Sequence, residues 1–326
     1  MQLTTRQDRI AGTLLGLAAG DALGAGYEFG PPLPEDTPIV MTGGGSFGWE
    51  PGEWTDDTGM AVGIAFAMRS ARSRGAAIAD ERLFDDIVAH WGRWAGETKD
   101  IGSQTSTIFG AAGVGRAQGP SAARLRTEAR AFHERTGRSA GNGSLMRTAP
   151  VALFTLDQSP DDVAALAAAI GELTHVERTA GEACVLWSLA VRHAIETGLM
   201  DIRIGLPLLE DSRQDHWRGL ITLSESLQPR DFRRNGWVVE AFQAAWSAIA
   251  TTRGSGQRGA AHLVGALEAA VRGGRDTDTV AAIAGSLLGA AYGATAIPER
   301  WRAILHGWSG IDASDLATLA LDVAPS

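Results

Sequence analysis

The chain has 326 residues, 44% of them hydrophobic and 21% charged, with a formal net charge of −9 at pH 7. That composition supports a sizeable globular core, and the acidic field disfavours nucleic acid or an anionic membrane surface as partner, leaving room only for a local basic pocket. A single cysteine excludes an internal disulfide, no basic leader precedes an apolar run, and the apolar stretch Ile10 to Leu23 is too short for a membrane span, so the expectation is a cytoplasmic, monomeric protein without a transmembrane segment.

The first predicted element is a helix: Ile10, Leu14 and Leu17 recur at helical spacing, and Gly12, Gly16, Gly20 and Gly24 form a stripe along it. Pro31 to Gly52, rich in proline and glycine, reads as a long loop. It leads to Thr55-Asp56-Asp57-Thr58 at the head of a second helix that carries Gly59 and Gly63. Gly115 to Gly143 contains Arg116, Arg124, Arg126, Arg130, Arg135 and Arg138 and reads as an irregular region, a charged helix and loop held in solvent. Val163, Leu166 and Ile170 mark a further helix, and Cys184, inside Ala183-Cys184-Val185-Leu186-Trp187, is expected as a small core residue. Val280, Ile283 and Leu287 mark a late helix with its own stripe, Gly285, Gly289 and Gly293. Strand-like alternation is nearly absent, and no low-complexity linker divides the chain, so the expected fold is all-α in a single domain over residues 1–326. An interior helix glycine costs about 1 kcal/mol against alanine. Repeated stripes therefore imply backbone-to-backbone packing, with the three striped helices at the centre.

Thr55-Asp56-Asp57-Thr58 and Asp276-Thr277-Asp278-Thr279 resemble each other. Either one alone reads as simple helix capping, since threonine is a good N-cap and the helix dipole favours aspartate in the first turn. Taken together, on helices that pack side by side, they bring four carboxylates towards Glu28 at the end of the first helix. Carboxylates so crowded cannot all stay ionised without a cation. The donors are hard oxygens, which suit Mg²⁺, Mn²⁺ or Ca²⁺ in preference to Zn²⁺, and four aspartates balance two divalent ions. The seven histidines include no closely spaced pair and no His-Glu-x-x-His segment. His175, in Leu173-Thr174-His175, reads either as a capping or core group or as a substrate contact.

Five blocks carry a family resemblance: Gly20-Asp21-Ala22-Leu23-Gly24 with Glu28, Trp54-Thr55-Asp56-Asp57-Thr58, Gly141-Asn142-Gly143-Ser144-Leu145-Met146-Arg147, Leu173-Thr174-His175, and Asp276-Thr277-Asp278-Thr279 running on to Gly285. In this order they resemble the signature blocks of the ADP-ribosylglycohydrolase family. The resemblance implies an orthogonal all-α multi-helix bundle and a pair of divalent cations, Mg²⁺ or Mn²⁺, held by Thr55, Asp56, Asp57, Asp276, Asp278 and Thr279 with Glu28 beside them. Less directly, Asp100-Ile101-Gly102 with Thr105 is similar to a family loop bordering the scissile bond, and Asn142-Gly143-Ser144 to the loop that receives a diphosphate. Asn235-Gly236-Trp237 resembles a block whose aromatic ring stacks in the nucleotide cleft; core packing is the other reading of Trp237. Many family members have Gly-Gly-Asp where this chain has Gly273-Gly274-Arg275-Asp276, and Arg275 is expected to meet phosphate or alter acceptor choice.

The reaction implied is metal-dependent hydrolysis of the N- or O-glycosidic bond between ADP-ribose and a modified side chain or small acceptor, through an oxocarbenium-like transition state. Asp57, Glu28 and Asp100 are the candidate acid or base groups. The competing readings are a two-metal phosphohydrolase and a non-catalytic ADP-ribose-binding protein.

Overall fold

The computed structural model describes residues 3–78, 80–115 and 121–325. Among them lie fourteen α-helices: α1 (Thr5–Gly24), α2 (Asp56–Ser73), α3 (Glu81–Ala95), α4 (Ser103–Ala112), α5 (Ala122–Thr136), α6 (Ala149–Phe154), α7 (Pro160–Gly171), α8 (Arg178–Thr197), α9 (Asp211–Ser224), α10 (Val238–Gly254), α11 (Gly259–Arg272), α12 (Thr277–Tyr292), α13 (Glu299–Arg302) and α14 (Ala313–Val323). The one sheet among the described residues is a two-stranded antiparallel pair, β1 (His306–Gly307) and β2 (Ile311–Asp312), with His306 opposite Asp312. The all-α expectation holds, and no described helix is long and apolar enough to cross a membrane.

α1 and α12 form the central pair. Every residue from Ile10 to Gly24 and from Thr277 to Ala291 is buried, as expected of helices enclosed on all sides. The glycine stripes explain how they lie so close. A Cβ at Gly12 would collide with the backbone at Gly289 and Gly293, one at Gly16 with Gly285, one at Gly20 with Ala281 and one at Gly24 with Asp278. The partner number falls as the first rises, so the helices run antiparallel, and the C-terminus of α1 lies beside the N-terminus of α12.

The third stripe behaves differently from the expectation. Gly59 and Gly63 of α2 receive side chains of α3, the indoles of Trp94 and Trp91, and not another helix backbone. The cause is size: α3 buries Leu83, Phe84, Ile87, Val88, Trp91 and Trp94 on one face, and two indoles need the space that absent Cβ atoms leave. The Trp91 ring N–H is satisfied by the Met60 carbonyl at 3.0 Å.

Pro31 to Gly52 carries no helix, as read from its composition. The arginine-rich stretch is more ordered than expected, because α5 occupies most of it, capped by Ser121 and closed by Gly137 in the left-handed conformation. Arg124 pairs with Glu128, and Arg126 pairs with Glu81 while lying over the Phe84 ring. Arg116 falls outside the described residues. Cys184 is buried in the core.

Candidate metal centre and cleft

The antiparallel α1–α12 packing sets the site. α1 ends beside Asp278, and a short 3₁₀ turn, Ala25–Tyr27, delivers Glu28 to the same end. α2 is brought in by Asp21, a carboxylate within the apolar length of α1. Asp21 Oδ1 accepts the Thr55 N–H at 2.9 Å, and Oδ2 accepts the Thr58 N–H at 2.9 Å and the Thr58 hydroxyl at 2.6 Å. A residue of one helix thus caps the N-terminus of another and satisfies donors that would otherwise be orphaned. Neither Thr55 nor Asp276, the N-cap residues of α2 and α12, makes a side-chain cap bond. Local capping therefore does not account for the two acidic segments.

Their side chains converge. The Thr55 hydroxyl lies 3.3 Å from Asp57 Oδ2 and 3.4 Å from Asp278 Oδ2, and the Thr279 hydroxyl lies 3.3 Å from Asp57 Oδ2. Oxygens of Asp21, Asp57 and Asp278 lie within 4.8 Å of one another, as do those of Glu28, Asp276 and Asp278. Burial, followed by mutual repulsion, holds the Asp56, Asp57 and Asp278 carboxyls well above the usual aspartate range and pushes Glu28 up to about 9. Asp57 Oδ1 and Asp278 Oδ1 are buried without a hydrogen-bond partner. An orphaned carboxylate oxygen inside a protein is costly, and here one comes from each acidic segment. The donor set therefore fits a hard divalent cation. Asp21 is the exception: its oxygens are committed to the N-terminus of α2, and although burial raises it to about 6, its part is to position that helix.

Above these groups opens a cleft of ≈ 730 Å³. It is lined by the acidic group Glu28, Asp56 and Asp276 with Thr279, by Phe29 and Met146, and by residues 100–107, Gly141, Asn142, Gly143, His175 and Gly236. Asn142 ties the sides together, its amide donating to Asp276 Oδ2 at 2.8 Å and to the Asn235 carbonyl at 2.9 Å. Gly102, the N-cap of α4, offers no side chain to the first N–H groups of that helix, so residues 102–107 present a helix N-terminus at the wall. Asp100 is raised by burial above the ordinary aspartate value, and it faces the same space.

The family model described as ADP-ribosylglycohydrolase matches residues 2–325. The chain belongs to the ADP-ribosylglycohydrolase family. With that family it is a hydrolase of ADP-ribose glycosidic bonds. Among the family's characterised proteins, it is 29% identical over 309 residues to the ADP-ribosylarginine hydrolase Tri1 of Serratia proteamaculans, covering 90% of this chain and 74% of that protein. The Tri1 of Pseudomonas putida is 31% identical over 315 residues, covering 90% of this chain and 73% of its own. The ADP-ribosyl-[dinitrogen reductase] glycohydrolase of Rhodospirillum rubrum is 28% identical over 306 residues, covering 90% and 89%. A solved structure described as an ADP-ribosylglycohydrolase-related protein complex superposes with a TM-score of 0.66 at 29% identity over 98% of both chains.

Within this ADP-ribosylglycohydrolase, the residues expected at the site divide by depth. Glu28, Asp56, Asp100, Gly102, Thr105, Asn142, Gly143, His175, Asp276 and Thr279 line the cleft. Thr55, Asp57 and Asp278 are nearly or wholly buried and are not among the residues that line it. Ser144, Trp237 and Arg275 are not part of the wall. The Ser144 side chain points into the core, where its hydroxyl is buried without a partner. Trp237 is 38% exposed, which rules out core packing, and its ring lies beneath the Arg234 guanidinium at 5.0 Å, next to the cleft residue Gly236. Arg275 turns its guanidinium to the carbonyls of Gly273 at 3.2 Å and Arg230 at 3.4 Å, because a backbone φ of 67° directs the side chain away. Sequence reasoning passed over Asp21 as a site residue. The available signal was its charge, alone between Ile10 and Leu23 in a helix that is otherwise apolar or small.

Proposed function

We propose that the cleft holds an ADP-ribosylated arginine side chain and hydrolyses the bond between the distal ribose and the guanidinium, with two divalent cations, Mg²⁺ or Mn²⁺, in the donor set of Thr55, Asp56, Asp57, Asp276, Asp278 and Thr279. The observation that carries the reading is the pair of buried, unpartnered oxygens, Asp57 Oδ1 and Asp278 Oδ1, under the acidic wall of the cleft. Bound there, the cations would supply charge compensation to the cluster and electrostatic stabilisation to the oxygens of the reacting ribose.

The chain's own residues supply the remainder. Glu28 and Asp100 face the cleft, where burial raises both carboxyls above their usual range, so they are the candidate groups to pass a proton to the departing nitrogen. Water adds to the anomeric carbon as the carbon–nitrogen bond breaks, its proton passing to the carboxylate that protonated the nitrogen, and free ADP-ribose and the intact guanidinium leave. The N-terminus of α4 and the Gly141–Gly143 loop offer backbone N–H groups to the diphosphate. The acidic wall, with no lysine or arginine among its lining residues, favours a cationic acceptor.

The test is a panel of ADP-ribosyl-arginine, ADP-ribosyl-serine and small ADP-ribose conjugates, with and without EDTA, scored by mass spectrometry. Free ADP-ribose from the arginine conjugate, abolished by EDTA, is the expected result. Release of AMP or inorganic phosphate in its place would assign the site to phosphoryl chemistry.

A further inference from the structure

Arg147 is fully buried, and among the described residues no carboxylate lies within ion-pair distance of it. Burying a cation without a counter-charge is among the costlier things a fold can do, and here the contacts are specific. The guanidinium lies over the Trp91 ring at 4.3 Å. Nη1 reaches Met60 Sδ at 3.6 Å, and Nη2 donates to the Thr174 hydroxyl at 2.7 Å. That hydroxyl lies 2.7 Å from His175 Nδ1.

The direction of each bond in this row follows from the donor inventory. Arginine has no acceptor, so the Thr174 oxygen accepts from Arg147. Threonine has one hydroxyl hydrogen, and His175 Nδ1 is its one remaining partner. An Nδ1–H could use the second lone pair of that oxygen, but the buried hydroxyl hydrogen would then lack an acceptor; donation to Nδ1 satisfies every group and places the ring hydrogen on Nε2. Nε2 lies beside Gly141 and Gly143, both cleft residues, where a Cβ at either would meet it at 3.2 and 3.4 Å. It makes no hydrogen bond with a described residue and is open to the cleft.

We infer that Arg147 and Thr174 are positioning residues that hold His175 as a neutral imidazole with its hydrogen on Nε2, a fixed donor to an oxygen of the bound ligand. Burial and then the Arg147 charge keep the ring well below the usual histidine range, so it stays neutral. A ring so held has no lone pair to offer the cleft, so His175 binds and does not take a proton from water. Arginine suits the place because its planar group stacks on Trp91 while donating sideways to Thr174, which an ammonium cannot do in the same geometry. The tautomer stands on geometry alone; that the oxygen belongs to ADP-ribose rests on the function proposed above.

Two readouts separate these layers. Ring-nitrogen NMR of the full-length, ¹⁵N-histidine-labelled protein without ligand reports the tautomer, and titration with ADP-ribose reports the donor. The wild type should show Nε2 protonated and Nδ1 bare. Thr174→Val, which keeps the shape and removes the relay, should lose the single-tautomer pattern and weaken ADP-ribose by about tenfold. Thr174→Ser should restore both. Arg147→Met removes a donor to Thr174 and the positive charge beside the ring, so the ring should take up a proton at higher pH than in the wild type. An Nδ1–H tautomer or an imidazolium in the wild type overturns the inference, as does a Thr174→Val protein with unchanged ring shifts. If the tautomer is as stated but ADP-ribose does not bind, the relay stands and the ligand assignment fails. If Arg147→Met does not fold, the Thr174 pair decides.

Discussion

Phe29 and Arg275 are the two non-glycine residues with positive φ among the described residues, at 63° and 67°, and they are bonded to each other. The Phe29 N–H donates to the Arg275 carbonyl at 2.5 Å, and the Arg275 N–H donates to the Gly30 carbonyl at 2.7 Å. Each adjoins a carboxylate of the site, Glu28 before Phe29 and Asp276 after Arg275. A left-handed backbone costs a non-glycine residue about 1–2 kcal/mol, and the strain is concentrated where two sequence-distant acidic groups are clamped together.

Arg275→Gly should accordingly leave unfolding stability unchanged or raise it by about 1 kcal/mol, since glycine adopts this φ freely. Its KM should stay at the wild-type value, because the guanidinium meets backbone carbonyls and not the cleft. Arg275→Val, β-branched, should lose both stability and activity. A large rise in KM for the glycine variant would return the guanidinium to the substrate.

Asp57→Asn and Asp278→Asn remove charge from a crowded, buried cluster. In EDTA these variants should be as stable as the wild type or more so, while turnover falls by about three orders of magnitude or more and the increase in Tm on adding Mg²⁺ or Mn²⁺ disappears. Melting curves with and without metal, beside rate measurements, check this. Near-normal turnover would exclude a metal-holding role for these carboxylates.

The same crowding fixes the sign of a pH effect in metal-free protein. Glu28 rises to about 9 and Asp21 to about 6, each above its unfolded value, so the native state binds more protons than the unfolded chain between those limits. The stability they contribute is complete below the unfolded carboxylate range and is lost as pH rises through the folded values. Denaturant melts in EDTA should show stability declining from about pH 5 to about pH 9, and saturating divalent cation should flatten that decline. A decline of equal size with cation bound would show that the cluster is not its origin.

Gly16→Ala and Gly289→Ala gain about 1 kcal/mol of helix propensity in isolation. In the fold each new methyl meets the opposing backbone of the α1–α12 pair, Gly285 or Gly12, which cannot yield as a side chain can. A net loss of about 2–3 kcal/mol or more is expected from overpacking. Chemical denaturation measures it, and a stabilised Gly16→Ala protein would mean the two helices are further apart than described.

Trp237→Ala should cost less than the roughly 3–5 kcal/mol of a fully buried aromatic, because the ring is 38% exposed. If the ring stacks on the nucleotide, ADP-ribose affinity falls by about 1–3 kcal/mol and Trp237→Phe restores most of it. An unchanged Kd would confine Trp237 to its contact with Arg234.

Much of this was legible in the order of residues. Helical periodicity made the chain all-α, because each helix buries one face or all of them and the spacing of apolar residues records which. The matched stripes on α1 and α12 recorded a close approach, since glycine at four-residue intervals clears one face of a helix for whatever packs there. The likeness of the two acidic segments recorded that they share a centre. Three things were decided only in three dimensions. Gly59 and Gly63 are spaced like the other stripes, yet they accommodate Trp94 and Trp91, because a missing Cβ leaves room for a backbone or an indole alike. Asp21 stands in a signature block, but its work is to cap α2 across space, a set of bonds between residues 21, 55 and 58 that no local pattern encodes. Arg275 is legible in sequence only as a charge, whereas the clamp with Phe29 goes with a left-handed backbone and a guanidinium turned away from the cleft. In each case the residue type limited what the side chain could do, and the partner that packing brought against it determined what it does.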